Sequence, residues 1–288
     1  MSARSSASCT NDVRAAGTAA PAQGALSPFF RRLIFFRKRQ SKMKQEIRKE
    51  FSRSLNREME YAVYGDAGKI CLVFPSQNGR FYDFEHFGMV EMLRPEIESG
   101  KLQLVCADGI DGETWSNAER PPRERIETHE AWFRYVMDEL VPRVKADNPR
   151  SPTLMTTGCS MGGFHAANFF FRAPQVFDTV IALSGVYEAG YFFGGYMDDL
   201  VYLNSPVDSL ANMPLDHTYL EVFRRRKLIF CVGQGAWEED LLKSTRRLED
   251  VLRAKNVPAW FDYWGFDVSH DWVWWRRQIR YFVERLGL

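Results

Sequence analysis

Gly158-Cys159-Ser160-Met161-Gly162-Gly163 stands between an apolar run and a helix-compatible stretch, and it carries the spacing G-x-S-x-G. A serine displayed on so tight a turn takes a strained backbone, and small neighbours keep Cβ atoms out of the bend. A bare match is weak, and a Gly-rich turn with an incidental serine is the bland alternative. The strand-like segment before it and the helix after it favour a nucleophile. A serine hydroxyl reacts poorly at neutral pH unless a base is beside it and a third group orients that base. Of the five histidines, His270 follows a late strand-like segment, 259–264, and precedes a final helix beginning near Asp271, so it is the candidate base. His86 and His129 sit in helical segments away from strand ends, and His165 points down the helix that follows Ser160. With His217 they read as structural.

The acid is expected after the apolar run 228–232, where Gly233-Gln234-Gly235-Ala236-Trp237 leads to Glu238, Glu239 and Asp240. Two of these fit the first turn of the next helix, where negative charge meets the positive end of the helix dipole. Glu238 is nearest the strand end and is the first choice, with Asp240 and Glu239 behind it. An acid so placed holds the imidazole in one tautomer and stabilises the imidazolium. An oxyanion pocket needs two backbone N–H groups. Met161 supplies one, and the loop Pro75-Ser76-Gln77-Asn78-Gly79 the other, with Gln77 preferred to Ser76; an ordinary turn is the alternative for this loop.

The elements that must position these groups are legible as alternating patterns. Residues 70–74, 102–107, 153–157, 179–183 and 228–232 are continuous apolar runs, as expected of strands covered on both faces. Amphipathic helical stretches cover 125–141 and about 239–254. Such alternation implies a mostly parallel sheet wrapped by helices in one α/β domain, with its active site at the carboxyl ends of the strands. A half-buried strand through Met59, Tyr61 and Val63, followed by a turn at 65–68, is expected to form a hairpin with the strand at 70–74.

Composition sets outer limits. The chain has 288 residues, with 45% hydrophobic and 26% charged residues, and 38 basic side chains against 37 acidic ones. A net charge of +1 argues against a protein built to hold nucleic acid. Nine of the basic side chains but only one acid fall before Glu46, so the body is mildly acidic. Residues 1–42 are basic and rich in Ser and Ala and read as a flexible extension, with a transit peptide or a membrane-surface segment at 31–44 as alternatives. The domain proper is expected over 45–288. Five cysteines form no C-x-x-C pair, and three lie in apolar runs, consistent with free thiols in the cytoplasm. No apolar stretch of about 18 residues exists, so stable membrane insertion is not expected. No H-E-x-x-H, cysteine quartet or P-loop is present, so no metal or other cofactor is expected.

The order Ser160, Glu238, His270 is that of an α/β-hydrolase. The chain resembles the esterase family of α/β-hydrolases that includes enterochelin esterases, S-formylglutathione hydrolases and mycolyltransferases, over about 47–286. The likeness rests on Phe74-Pro75-Ser76 with Gly79, Asp108-Gly109-Ile110-Asp111 with Trp115, the turn at Ser160, and Ser269-His270-Asp271-Trp272 with Trp275. It departs at Cys159, where many relatives carry a bulkier polar residue, and at the Glu-Glu-Asp cluster, where they carry a lone Asp. The resemblance implies a serine esterase, with Ser160, Glu238 and His270 as the triad and a small-molecule ester as substrate. Aromatic residues in the loops at the sheet top, Trp115, Tyr187 and Trp237 foremost, are candidates to line an acyl or aryl pocket. Packing of the segment 185–213 as a lid or partner surface is the alternative for this aromatic set. Two other readings remain at this stage: acyl transfer to an acceptor other than water, and a catalytically weak binding or assembly module. Assembly as a homo-oligomer is left open.

Overall fold

The computed structural model describes residues 43–288. The basic leader, Cys9 and most of the cationic segment at 31–44 lie outside the described residues. Eight strands form one sheet in the order β1-β2-β4-β3-β5-β6-β7-β8. They are β1 (Gln45–Ser52), β2 (Arg57–Tyr64), β3 (Lys69–Phe74), β4 (Leu102–Ala107), β5 (Leu154–Cys159), β6 (Phe177–Leu183), β7 (Lys227–Val232) and β8 (Trp260–Tyr263). Every pairing from β4 to β8 is parallel, and β2 is antiparallel to both β1 and β4.

The five apolar runs are the five central strands, and nearly all their side chains are buried, as the continuous pattern requires. The hairpin expectation is corrected. β2 pairs with β1 and β4, while β3 lies on the far side of β4. Residues 65–68 therefore reverse the chain but carry it across β4, so β2 and β3 are not paired directly. β1 escaped the sequence reading because its outer face mixes exposed Ile47 and Phe51 with charged residues, as an edge strand can.

Four helices matter for the site. They are α1 (Pro122–Arg134), α2 (Met161–Arg172), α3 (Glu239–Ala254) and α4 (Trp272–Leu286). Ala166, Phe169 and Phe170 of α2 and Leu248 and Leu252 of α3 pack on one face of the sheet. Trp275, Ile279 and Phe282 of α4 pack on the other. This three-layer arrangement buries both faces, and burial of that apolar surface is the main force holding the strand ends in register. No helix of the described residues is long and apolar enough to cross a membrane.

Candidate active site

Ser160 follows the last residue of β5 with φ 59° and ψ −122°, a backbone conformation that L-residues seldom adopt. Its N–H donates to the Leu183 carbonyl at 2.8 Å, fixing the turn to the neighbouring strand β6. A Cβ on Gly162 would lie 2.3 Å from the Phe74 carbonyl oxygen, so a residue without a side chain is needed where α2 begins against the end of β3. Ser76 Oγ donates to the Cys159 carbonyl at 3.0 Å, tying the loop after β3 to the same turn. Within that loop Gly79 N–H donates to Ser76 O at 2.8 Å, closing a tight turn with Gln77 and Asn78 at its centre and Asn78 at φ 57°. The Gln77 side chain donates to Ser116 Oγ at 2.9 Å. At the start of α2 the N–H groups of Met161, Gly162 and Gly163 belong to the first turn and have no intrahelical acceptor.

The loops after β7 and β8 are laced together. Gly235 N–H donates to Val268 O at 2.8 Å, and His270 N–H to Ala236 O at 3.0 Å. A Cβ on Gly233 would sit 2.2 Å from the Val268 carbonyl, so these loops approach as closely as they do because glycine is there. The lacing delivers His270 to Ser160: Nε2 lies 2.9 Å from Oγ. On the other side of the ring, Nδ1 lies 3.4 Å from Glu238 Oε2. Glu238 is 1% exposed. Its second oxygen, Oε1, accepts a hydrogen bond from Ser184 Oγ at 2.7 Å.

Ser160, His270 and Glu238 are thus brought together from three strand ends. Glu239 and Asp240 are not. Both are exposed in the first turn of α3, and Asp240 pairs with Lys243 at 2.9 Å. His165 and His129 are buried and engaged elsewhere. His165 Nε2 contacts Asp111 Oδ1 at 2.9 Å. His129 Nδ1 accepts the Trp115 indole N–H at 2.9 Å, leaving Nε2 to donate to Asn204 Oδ1. Burial holds His129 well below the usual imidazole range, so it is neutral. Its helical segment, away from any strand end, meets an interior polar network with Trp115 and Asn204.

The aromatic-pocket expectation is corrected for two of its three residues. Trp115 is 2% exposed and packs against Met161, Phe164 and Phe193, with its indole N–H satisfied by His129. Tyr187 is fully buried, with its ring against Phe230. Both are enclosed by core neighbours, so neither presents an open face at the sheet top. Trp237 differs: it is 80% exposed, at φ 69°, immediately before Glu238. A separate cleft of about 400 Å³ beside the loops after β3 and β4 is lined by Asn78, Arg80, Asp108 and Glu113 among others, and neither Ser160 nor His270 lines it.

The four described cysteines are buried and free, and burial pushes their thiols up, so none is a thiolate nucleophile at neutral pH. Among the described residues no group of His, Cys, Asp and Glu could hold a metal ion. Sequence reasoning missed Ser184. It is the residue directly after β6, and inspecting every strand end in turn would have found it.

Sheet order, strained serine turn and strand-end placement are those of the α/β-hydrolase fold, and comparison with solved structures agrees. A ferulic acid esterase superposes with a TM-score of 0.66 at 17% identity, covering 83% of this chain and 96% of that one. An S-formylglutathione hydrolase from Agrobacterium tumefaciens gives 0.65 at 15% identity, covering 84% and 94%. MPT51 from Mycobacterium tuberculosis gives 0.59 at 14% identity, covering 81% and 96%. At these identities the likeness establishes fold. No curated protein sequence matches the chain. The chain belongs to the family described as "Putative esterase", whose model matches residues 52–285. As a member it is an enzyme of the esterase class.

Proposed function

We propose that the protein cleaves a carboxylic ester or thioester through a covalent acyl-enzyme on Ser160. The observation that carries this reading is the 2.9 Å approach of His270 Nε2 to the hydroxyl of a serine held at positive φ. In the first step Oγ bonds to the ester carbonyl carbon while its proton passes to Nε2. Glu238, accepting from Nδ1–H, fixes the tautomer with the lone pair on Nε2 and stabilises the imidazolium. The carbonyl oxygen, now negative, is received by the N–H groups of Met161 and Gln77. Collapse expels the alkoxide or thiolate, which takes its proton from His270. Water then attacks the acyl group by the same route, and Ser160 regains its proton.

Trp237 is the proposed substrate contact, because an exposed aromatic at a strained position beside the acid has no evident packing reason to be there. The buried free thiols fit a protein of a reducing compartment such as the cytoplasm. The residues 45–288 are proposed to act as one domain. A p-nitrophenyl acetate burst tests the reading. One equivalent of p-nitrophenol per chain before the steady state, absent in Ser160→Ala and His270→Ala, is expected. Slow release with no burst and no loss in either variant would reject it in favour of a non-catalytic module.

A further inference from the structure

Ser184 follows the last residue of β6 and is fully buried, yet its backbone stands at φ 50°. Its N–H donates to the Cys231 carbonyl at 2.7 Å, which holds it against β7. Its hydroxyl has two partners. It donates to Glu238 Oε1 at 2.7 Å and accepts the indole N–H of Trp275, in α4, at 3.0 Å. An indole nitrogen donates only, so Trp275 takes an acceptor position of the hydroxyl and leaves the single hydroxyl proton for the carboxylate. The direction of both hydrogen bonds is therefore fixed by chemistry.

This matters because Glu238 is out of water. A buried carboxylate is costly unless donors satisfy it. The distance from Oε2 to His270 Nδ1, 3.4 Å, is long for a hydrogen bond, whereas the Ser184 contact is short. The rotation of the carboxylate is thus decided more by Ser184 than by the imidazole it serves. Trp275 meets the other side of the problem as well: its ring stands edge-on to His270, with centroids 4.7 Å apart at 90°. One indole from α4 contacts the base and aims the hydroxyl that anchors the acid.

We propose that Ser184, aimed by Trp275, is a positioning residue for the triad, holding Glu238 in the rotamer that presents Oε2 to His270 Nδ1. The role rests on the serine-hydrolase reading above. It also accounts for the backbone: glycine would take φ 50° with less strain, so a serine there is kept for its hydroxyl.

The test compares Ser184→Gly and Ser184→Ala with wild type on p-nitrophenyl acetate, with folding checked by thermal denaturation. Glycine removes the hydroxyl while easing the backbone, so it separates loss of positioning from loss of fold even if the alanine variant is unstable. The expected result is a fall in kcat of about ten- to hundred-fold in the glycine variant, the rate equivalent of one hydrogen bond to a charged group, with KM within about twofold of wild type. Trp275→Phe, which keeps the ring and removes the N–H, is expected to lower kcat in the same sense and by less. A folded Ser184→Gly variant with wild-type kcat overturns the inference while leaving the hydrolase reading intact. A wild type that neither turns over nor takes up a fluorophosphonate rejects that reading, and the positioning role with it.

Discussion

His270 Nε2 and Ser160 Oγ lie 2.9 Å apart although 110 residues separate them in the chain. The contact exists because β5 and β8 run parallel with their carboxyl ends at the same end of one sheet and because the loop after β8 is bonded to the loop after β7.

The strain at Ser160 separates stability from function. Ser160→Gly removes the nucleophile and relieves φ 59°, for a net gain in folding stability of about 1 kcal/mol once glycine's extra chain entropy is counted. Turnover should fall by roughly 10³-fold or more. A thermal melt of the variant that lies clearly below wild type would show that the backbone at Ser160 is not strained.

The three adjacent acids should behave differently. Glu238→Gln, which keeps shape and removes charge from a buried site, is expected to lower kcat by at least about 100-fold. Glu239→Gln and Asp240→Asn change exposed side chains of the first turn of α3 and should stay within about twofold. Steady-state kinetics of the three variants decide it, and a large loss at Asp240 alone would move the acid.

With Trp115 and Tyr187 packed in the core, two of the three candidate aromatic side chains are not available to wall a long acyl chain. Across p-nitrophenyl esters from acetate to decanoate, kcat/KM should fall with chain length. A rise toward decanoate would mean that the buried aromatics open to form a pocket.

Much of this was readable from residues and their spacing. The five central strands were legible because strands covered on both faces are apolar without interruption, Ser160 because it follows such a run, and His270 because it follows the late strand-like segment 259–264 and precedes a helix. The pairing of β2 was not, since the strand pattern carries no record of which neighbour a strand takes. Nor was the burial of Trp115 and Tyr187, because an aromatic residue in a loop has the same composition whether it lines a cleft or fills the core. Ser184 has no motif of its own; its partners Glu238 and Trp275 lie 54 and 91 residues away.

Burial raises the thiols of Cys71, Cys106, Cys159 and Cys231 in the folded state. Their contribution to stability is complete below the unfolded thiol value, about 8.5, and is lost as pH rises above it, because the unfolded chain then releases protons that the folded chain keeps. Denaturant midpoints measured from pH 7 to 10 should decline above about pH 8.5. In native protein at pH 7 these four thiols should also resist a disulfide reagent; fast stoichiometric reaction would contradict their burial.

The most direct measurement is fluorophosphonate labelling of the folded chain followed by peptide mapping. The account predicts one adduct, on Ser160, formed at a rate that drops sharply in His270→Ala and absent in Ser160→Ala. No adduct on folded wild-type protein, or an adduct on another residue that persists in Ser160→Ala, would contradict it.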